Sequence, residues 1–102
     1  IILRVRARKS VEELQLIDSL PGMTKLYENS TKLPDKIEKD ARRLVWNVGH
    51  LRKGEERVYS YIIYSKLKVI GRLELPRAFA LFKKNGVVNQ VYSNRAFFAM
   101  EN

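Results

Sequence analysis

Cysteine is absent from this 102-residue chain, histidine occurs once, and no two of the five glycines are neighbours. Without cysteine neither a disulfide nor a thiolate metal site can staple the fold, so the apolar core must hold it. With His50 as the single imidazole, Ser-His-Asp chemistry could draw only on Ser60 or Ser65 and on Asp18 or Asp40, and no nucleophile elbow surrounds either serine. A histidine-based metal site would have to be completed by carboxylates alone. Glycines isolated at positions 22, 49, 54, 71 and 86 exclude a glycine-rich phosphate loop. The paired acids Glu12-Glu13 and Glu55-Glu56 are adjacent, so on a strand they would point to opposite faces and not act as one acid–base couple. Lysines dilute the acidic residues between Glu28 and Asp40, where no calcium-loop pattern occurs. No window approaches the roughly 18 apolar residues of a membrane helix, so no membrane insertion of this segment is expected. No enzyme and no cofactor is expected.

What is present is strand-forming sequence. Hydrophobic residues make up 45 % of the chain, enough for one core, and the expectation is one domain spanning residues 1–102, a segment cut from a longer protein. Val58, Ser60, Ile62 and Tyr64 alternate with Tyr59, Tyr61, Ile63 and Ser65, the pattern of a strand covered on one face and partly on the other. Asn85-Gly86 between Phe79-Ala80-Leu81-Phe82 and Val87-Val88 predicts a hairpin. Pro76, which cannot donate a ladder bond, predicts an edge, bulge or kink in the strand from Arg72 to Lys84. The returning strand, Val87 to Met100, has candidate breaks at Asn89 and at Ser93-Asn94.

Earlier in the chain, Ile2 to Arg8 and Val11 to Asp18 read as two strands able to pair as a hairpin. Ser19-Leu20-Pro21-Gly22 closes the second one, and a short strand at Met23 to Tyr27 follows. The polar stretch from Glu28 to Ala41 reads as a long loop with a helical turn at Asp35 to Asp40, capped by Asp35. Leu44, Trp46 and Val48 share one parity and are the predicted core, with Trp46 at its centre. His50 to Lys53 reads as the connection to a long strand from Arg57 to Leu67. About seven such strands with no parallel crossover predict an all-β, antiparallel, immunoglobulin-like β-sandwich.

Charge is the compositional outlier: 20 Lys and Arg against 11 Asp and Glu leave a net +9. Arg4, Arg6 and Arg8 alternate with Leu3, Val5 and Ala7, so a first strand would carry a row of guanidinium groups with Lys9 close by. Such a row could track the phosphates of a nucleic acid or another polyanion. Its ordinary role is the solvated face of an edge strand, where positive charge also discourages edge-to-edge pairing. The other lysines are scattered, and no Arg-Gly repeat or RNA-binding aromatic motif accompanies them. Lys, Arg, Glu, Ile, Val and Tyr are plentiful while Gln, Cys and Met are scarce, a balance compatible with heat adaptation.

The succession Leu16-Ile17-Asp18-Ser19-Leu20-Pro21, Leu44-Val45-Trp46-Asn47-Val48-Gly49, Leu51-Arg52-Lys53-Gly54-Glu55 and Tyr61-Ile62-Ile63-Tyr64 resembles the conserved-repeat immunoglobulin-like domains of archaeal and bacterial surface proteins. Gly71, Pro76-Arg77-Ala78 and Ser93-Asn94 resemble their closing strands. Arg52-Lys53 stands where that family often has proline before the glycine. The resemblance implies a structural or adhesive module, extracellular or attached to the cell envelope, whose partners are protein or envelope components and neighbouring domains of the same chain. In such a domain Asp18 would end a strand by accepting local backbone hydrogen bonds, Pro21 would fix the turn and Gly54 would permit a tight connection. The immunoglobulin-like domain of archaeal motility-filament stators is a second family of similar appearance. A nucleic-acid partner is the less favoured alternative.

Overall fold

A computed structural model of the protein describes residues 1–21, 24–26, 34–38, 42–65, 71–94 and 96–100. Every regular element among them is a strand, and every pairing is antiparallel. In chain order these are β1 (Ile2–Arg6), β2 (Val11–Ser19), β3 (Thr24–Leu26), β4 (Lys36–Glu38), β5 (Arg43–Leu51), β6 (Glu56–Ser60), β7 (Ile63–Ser65), β8 (Gly71–Leu75), β9 (Phe79–Lys84), β10 (Val87–Tyr92) and β11 (Ala96–Met100). The all-β, antiparallel reading therefore holds.

A five-stranded sheet in the order β10-β9-β2-β5-β4 forms one layer. Its inner face presents Leu16, Leu44 and Trp46. Against these pack Ile1 and Leu3 from the β1 side, Leu26 from β3, Tyr59 from β6, Ile63 from β7, and buried Tyr61 between β6 and β7. The pairs β1–β6 and β3–β7 thus face the large sheet as a second layer. Trp46 is 2 % exposed, with its ring 5.8 Å from that of Tyr59 and 5.6 Å from that of Tyr61. Leu44 is fully buried, whereas Val48 is half-buried and bridges to a second cluster of Ala7, Leu14 and Leu51.

Several local expectations change. β1 and β2 do not form a hairpin: β1 pairs with β6 and β2 with β5 and β9, because Leu3, Val5 and Ala7 are needed in the layer opposite Leu14 and Leu16. His50 and Leu51 belong to β5, since Leu51 is fully buried opposite Val11. Lys36–Glu38 is an edge strand and not a helical turn; it pairs with Arg43–Val45, where backbone partners were available. Asp35 precedes it and accepts the Asn47 backbone N–H at 2.6 Å, a carboxylate continuing the ladder past the strand's end. The predicted strand from Arg57 to Leu67 divides at Tyr61-Ile62, where the Tyr61 side chain turns into the core; its residues 66–67 lie outside the described residues, as does most of the predicted loop from Glu28 to Ala41.

The carboxy-terminal strands obey one register. Val87 faces Lys84, Tyr92 faces Phe79, Ala96 faces Leu75 and Met100 faces Gly71, so β8–β9 and β10–β11 form one long hairpin. It turns at Asn85 and Gly86, both at positive φ (53° and 75°), the mirror-image turn matched to the strand twist. The ladder is interrupted at Pro76 to Ala78 on one side and opposite it before Ala96. There the Ser93 N–H donates to the Ala78 carbonyl at 2.8 Å, while the Ser93 hydroxyl accepts the Ala78 N–H at 3.1 Å. The predicted kink at Pro76 and break at Ser93-Asn94 thus coincide.

Candidate interaction surfaces

Buried polar groups come first, because chemistry needs reactive side chains that a ligand can reach. Asp18 ends β2 on the inner face, 4 % exposed. Its Oδ1 accepts the Ser19 N–H at 2.9 Å and its Oδ2 accepts the Tyr61 hydroxyl. Burial pushes the Asp18 carboxyl above its ordinary range, against the pull of these two hydrogen bonds. Burial, with the neighbouring carboxylate, also holds the Tyr61 phenol far above its ordinary range, so it stays a donor. A cavity of about 230 Å³ lies beside the pair, lined mainly by Ile1, Leu3, Leu16, Leu75 and Pro76. Asp18 and Tyr61 satisfy one another there, and the remaining lining is largely aliphatic. His50 is exposed on β5. No group of acids and histidine converges among the described residues.

The basic row is real but divided. In β1 Leu3 and Val5 face inward while Arg4 and Arg6 are exposed, as the alternation predicts. Arg4 is ion-paired with Glu56 across the β1–β6 ladder, Nε to Oε1 at 2.9 Å. Arg8 and Lys9 lie beyond β1, exposed, in the connection after buried Ala7. That connection is tied to the turn after β5: Gly54 N–H donates to the Ala7 carbonyl at 2.8 Å and Lys53 N–H to the Ser10 hydroxyl at 3.2 Å. Gly54, at φ +86°, permits the tight turn. Glu55 accepts the Arg52 N–H at 2.9 Å and pairs with Arg57 at 3.2 Å, and these bonds hold its carboxyl below the usual range. The structure thus brings Arg8 and Lys9 beside Arg52 and Lys53, a grouping invisible in the chain order, while Arg4 is paired with Glu56 and Arg6 stands opposite that same residue.

A third surface is the outer edge of the large sheet. β10 is its last strand, paired on one side only, with β9. Val87, Val88, Val91 and Tyr92 are exposed at 55–61 %. The Ser93-to-Ala78 bond fixes the phase of the ladder. In an antiparallel pair bonded and non-bonded positions alternate, so the N–H and C=O groups of Val88, Gln90 and Tyr92 point away from β9. None of Val87 to Tyr92 is charged. The edges β1, β3, β4 and β6 carry charge, Arg4 and Arg6 on β1, Lys25 on β3, Lys36 and Glu38 on β4, Glu56 and Arg57 on β6, whereas β7 and β11 carry none. The sequence carried this signal as an uncharged run after the Asn85-Gly86 turn, but only pairing order reveals an edge.

No protein-family model matches the chain, and neither curated proteins nor solved structures include one significantly similar to it.

Proposed function

We propose that the chain is an immunoglobulin-like sandwich module that acts by holding other proteins, in the manner of a structural or adhesive unit of a cell-envelope or extracellular protein. The observation that carries this reading is the uncharged, exposed edge of β10. Strand edges unguarded by charge pair readily with other chains, and addition of a strand is a recurring mode of protein recognition. The Asp18–Tyr61 hydrogen bond supports it, since the buried acid and phenol serve to tie the two layers together. The envelope setting rests on the sequence resemblance.

The four exposed cations at the Ala7–Ser10 and Leu51–Glu55 connections, Arg8, Lys9, Arg52 and Lys53, favour a polyanion as the second reading. One experiment separates the two. A photoreactive amino acid is placed in turn at Gln90 and at Arg8, and the chain is expressed in its own cells. Protein adducts at Gln90, with none at Arg8, are expected. Nucleic-acid or glycan adducts at Arg8, with none at Gln90, would replace the first reading by the second.

A further inference from the structure

We infer that the partner of the β10 edge is a second copy of this chain, joined by antiparallel pairing of β10 with β10 about a two-fold axis through Gln90. The inference rests on the protein-contact reading and names its occupant.

β10 adds no charge to a seam between two copies. Two copies of a protein with net charge +9 repel, and self-pairing at β1 or β3 would set like charges side by side, Arg4 and Arg6 in the first and Lys25 in the second. β10 offers its partner none and, at six residues, is longer than the other uncharged edges, β7 and β11. The register is also self-complementary. With Gln90 facing its own copy, Val88 faces Tyr92 of the second molecule and Tyr92 faces Val88. Val88, Gln90 and Tyr92 are the residues whose backbone groups point outward, so each exchanges both bonds with its counterpart. On the outer face Val88 then lies beside Tyr92 of the other copy, an apolar–aromatic cross-strand pair, at both ends of the seam. Gln90, which donates to the Tyr92 hydroxyl at 3.1 Å, meets its equivalent at the centre. Both five-stranded sheets become one, and the exposed β10 edge disappears.

Sedimentation of the 102-residue chain at about 50 and about 500 mM salt tests the inference, since screening relieves the repulsion between copies. A monomer–dimer equilibrium that tightens with salt is expected. Gln90→Lys, which places like charges on the axis, should weaken dimerisation at least about tenfold while cooperative unfolding is kept. Because the chain lacks cysteine, Gln90→Cys should oxidise to a covalent dimer, the facing Cα atoms lying about 5.5 Å apart, within disulfide reach. Arg8→Cys should cross-link far more slowly. A chain that sediments as a monomer at both salt concentrations, or cross-linking no faster at Gln90 than at Arg8, overturns the inference. Protein adducts at Gln90 in cells, found with a monomeric chain in solution, would leave the contact reading standing and remove only the second copy.

Discussion

The Tyr61 hydroxyl donates to the Asp18 carboxylate in the space between the two layers, tying the end of β2 to the link between β6 and β7. A buried carboxylate deprived of a donor keeps its desolvation penalty, so the bond matters more for what its loss leaves behind than for its own strength. Tyr61→Phe should destabilise the chain by about 1.5–3 kcal/mol, read from chemical denaturation. A change near zero would mean that the carboxylate is solvated or protonated without cost.

The pH dependence of Asp18 has a definite sign. Its folded-state carboxyl titrates above the ordinary value of 3.8, so the folded chain holds this proton more tightly than the unfolded one. Its contribution to stability is present below the ordinary value and is lost as pH rises through the raised one. The stability of Asp18→Asn minus that of the parent should therefore grow as pH is raised from about 3 towards neutrality. A difference that shrinks over this range would assign Asp18 the opposite environment.

The Trp46 indole N–H is buried without a hydrogen-bond partner among the described residues. Trp46→Phe removes that donor together with part of the ring's packing, and the two effects oppose each other. It should cost less than Leu44→Ala, which empties a fully buried site and is expected to lose about 2–5 kcal/mol. Thermal or urea unfolding of both variants checks the order, and a costlier Trp46→Phe would place the indole N–H in a bond.

At the long hairpin's tip Gly86 has φ +75°, and an added methyl would meet no atom within 4 Å. Gly86→Ala therefore tests backbone strain alone, with an expected loss of about 1–2 kcal/mol. Asn85→Gly, which relaxes the preceding positive φ, should be close to neutral. Equal losses for both would point to a different turn.

Much of the architecture was legible because it depends on short-range signals. The parity of Leu44 and Trp46, the Asn85-Gly86 turn and Pro76 each carry their consequence within a few residues. What the sequence hid was pairing. Nothing in Ile2 to Arg6 says that its partner is Glu56–Ser60, and the helical reading of Asp35 to Asp40 ignored that Arg43–Val45 offered a free ladder to Lys36–Glu38. The site followed suit. Arg4, Arg6 and Arg8 were visible as a row, yet the Glu56 that neutralises Arg4 lies 52 positions away. The edge position of β10 is likewise a property of sheet order, invisible in Val87 to Tyr92 alone.

Amide hydrogen exchange along β10, followed by NMR in dilute and concentrated samples, bears most directly on the claim that this edge is the working surface. In dilute solution Val88, Gln90 and Tyr92 should exchange fast while Asn89 and Val91, bonded to β9, exchange slowly; on concentration the first three should become protected. Uniform protection of the strand at every concentration, or fast exchange at Asn89 and Val91, would contradict it.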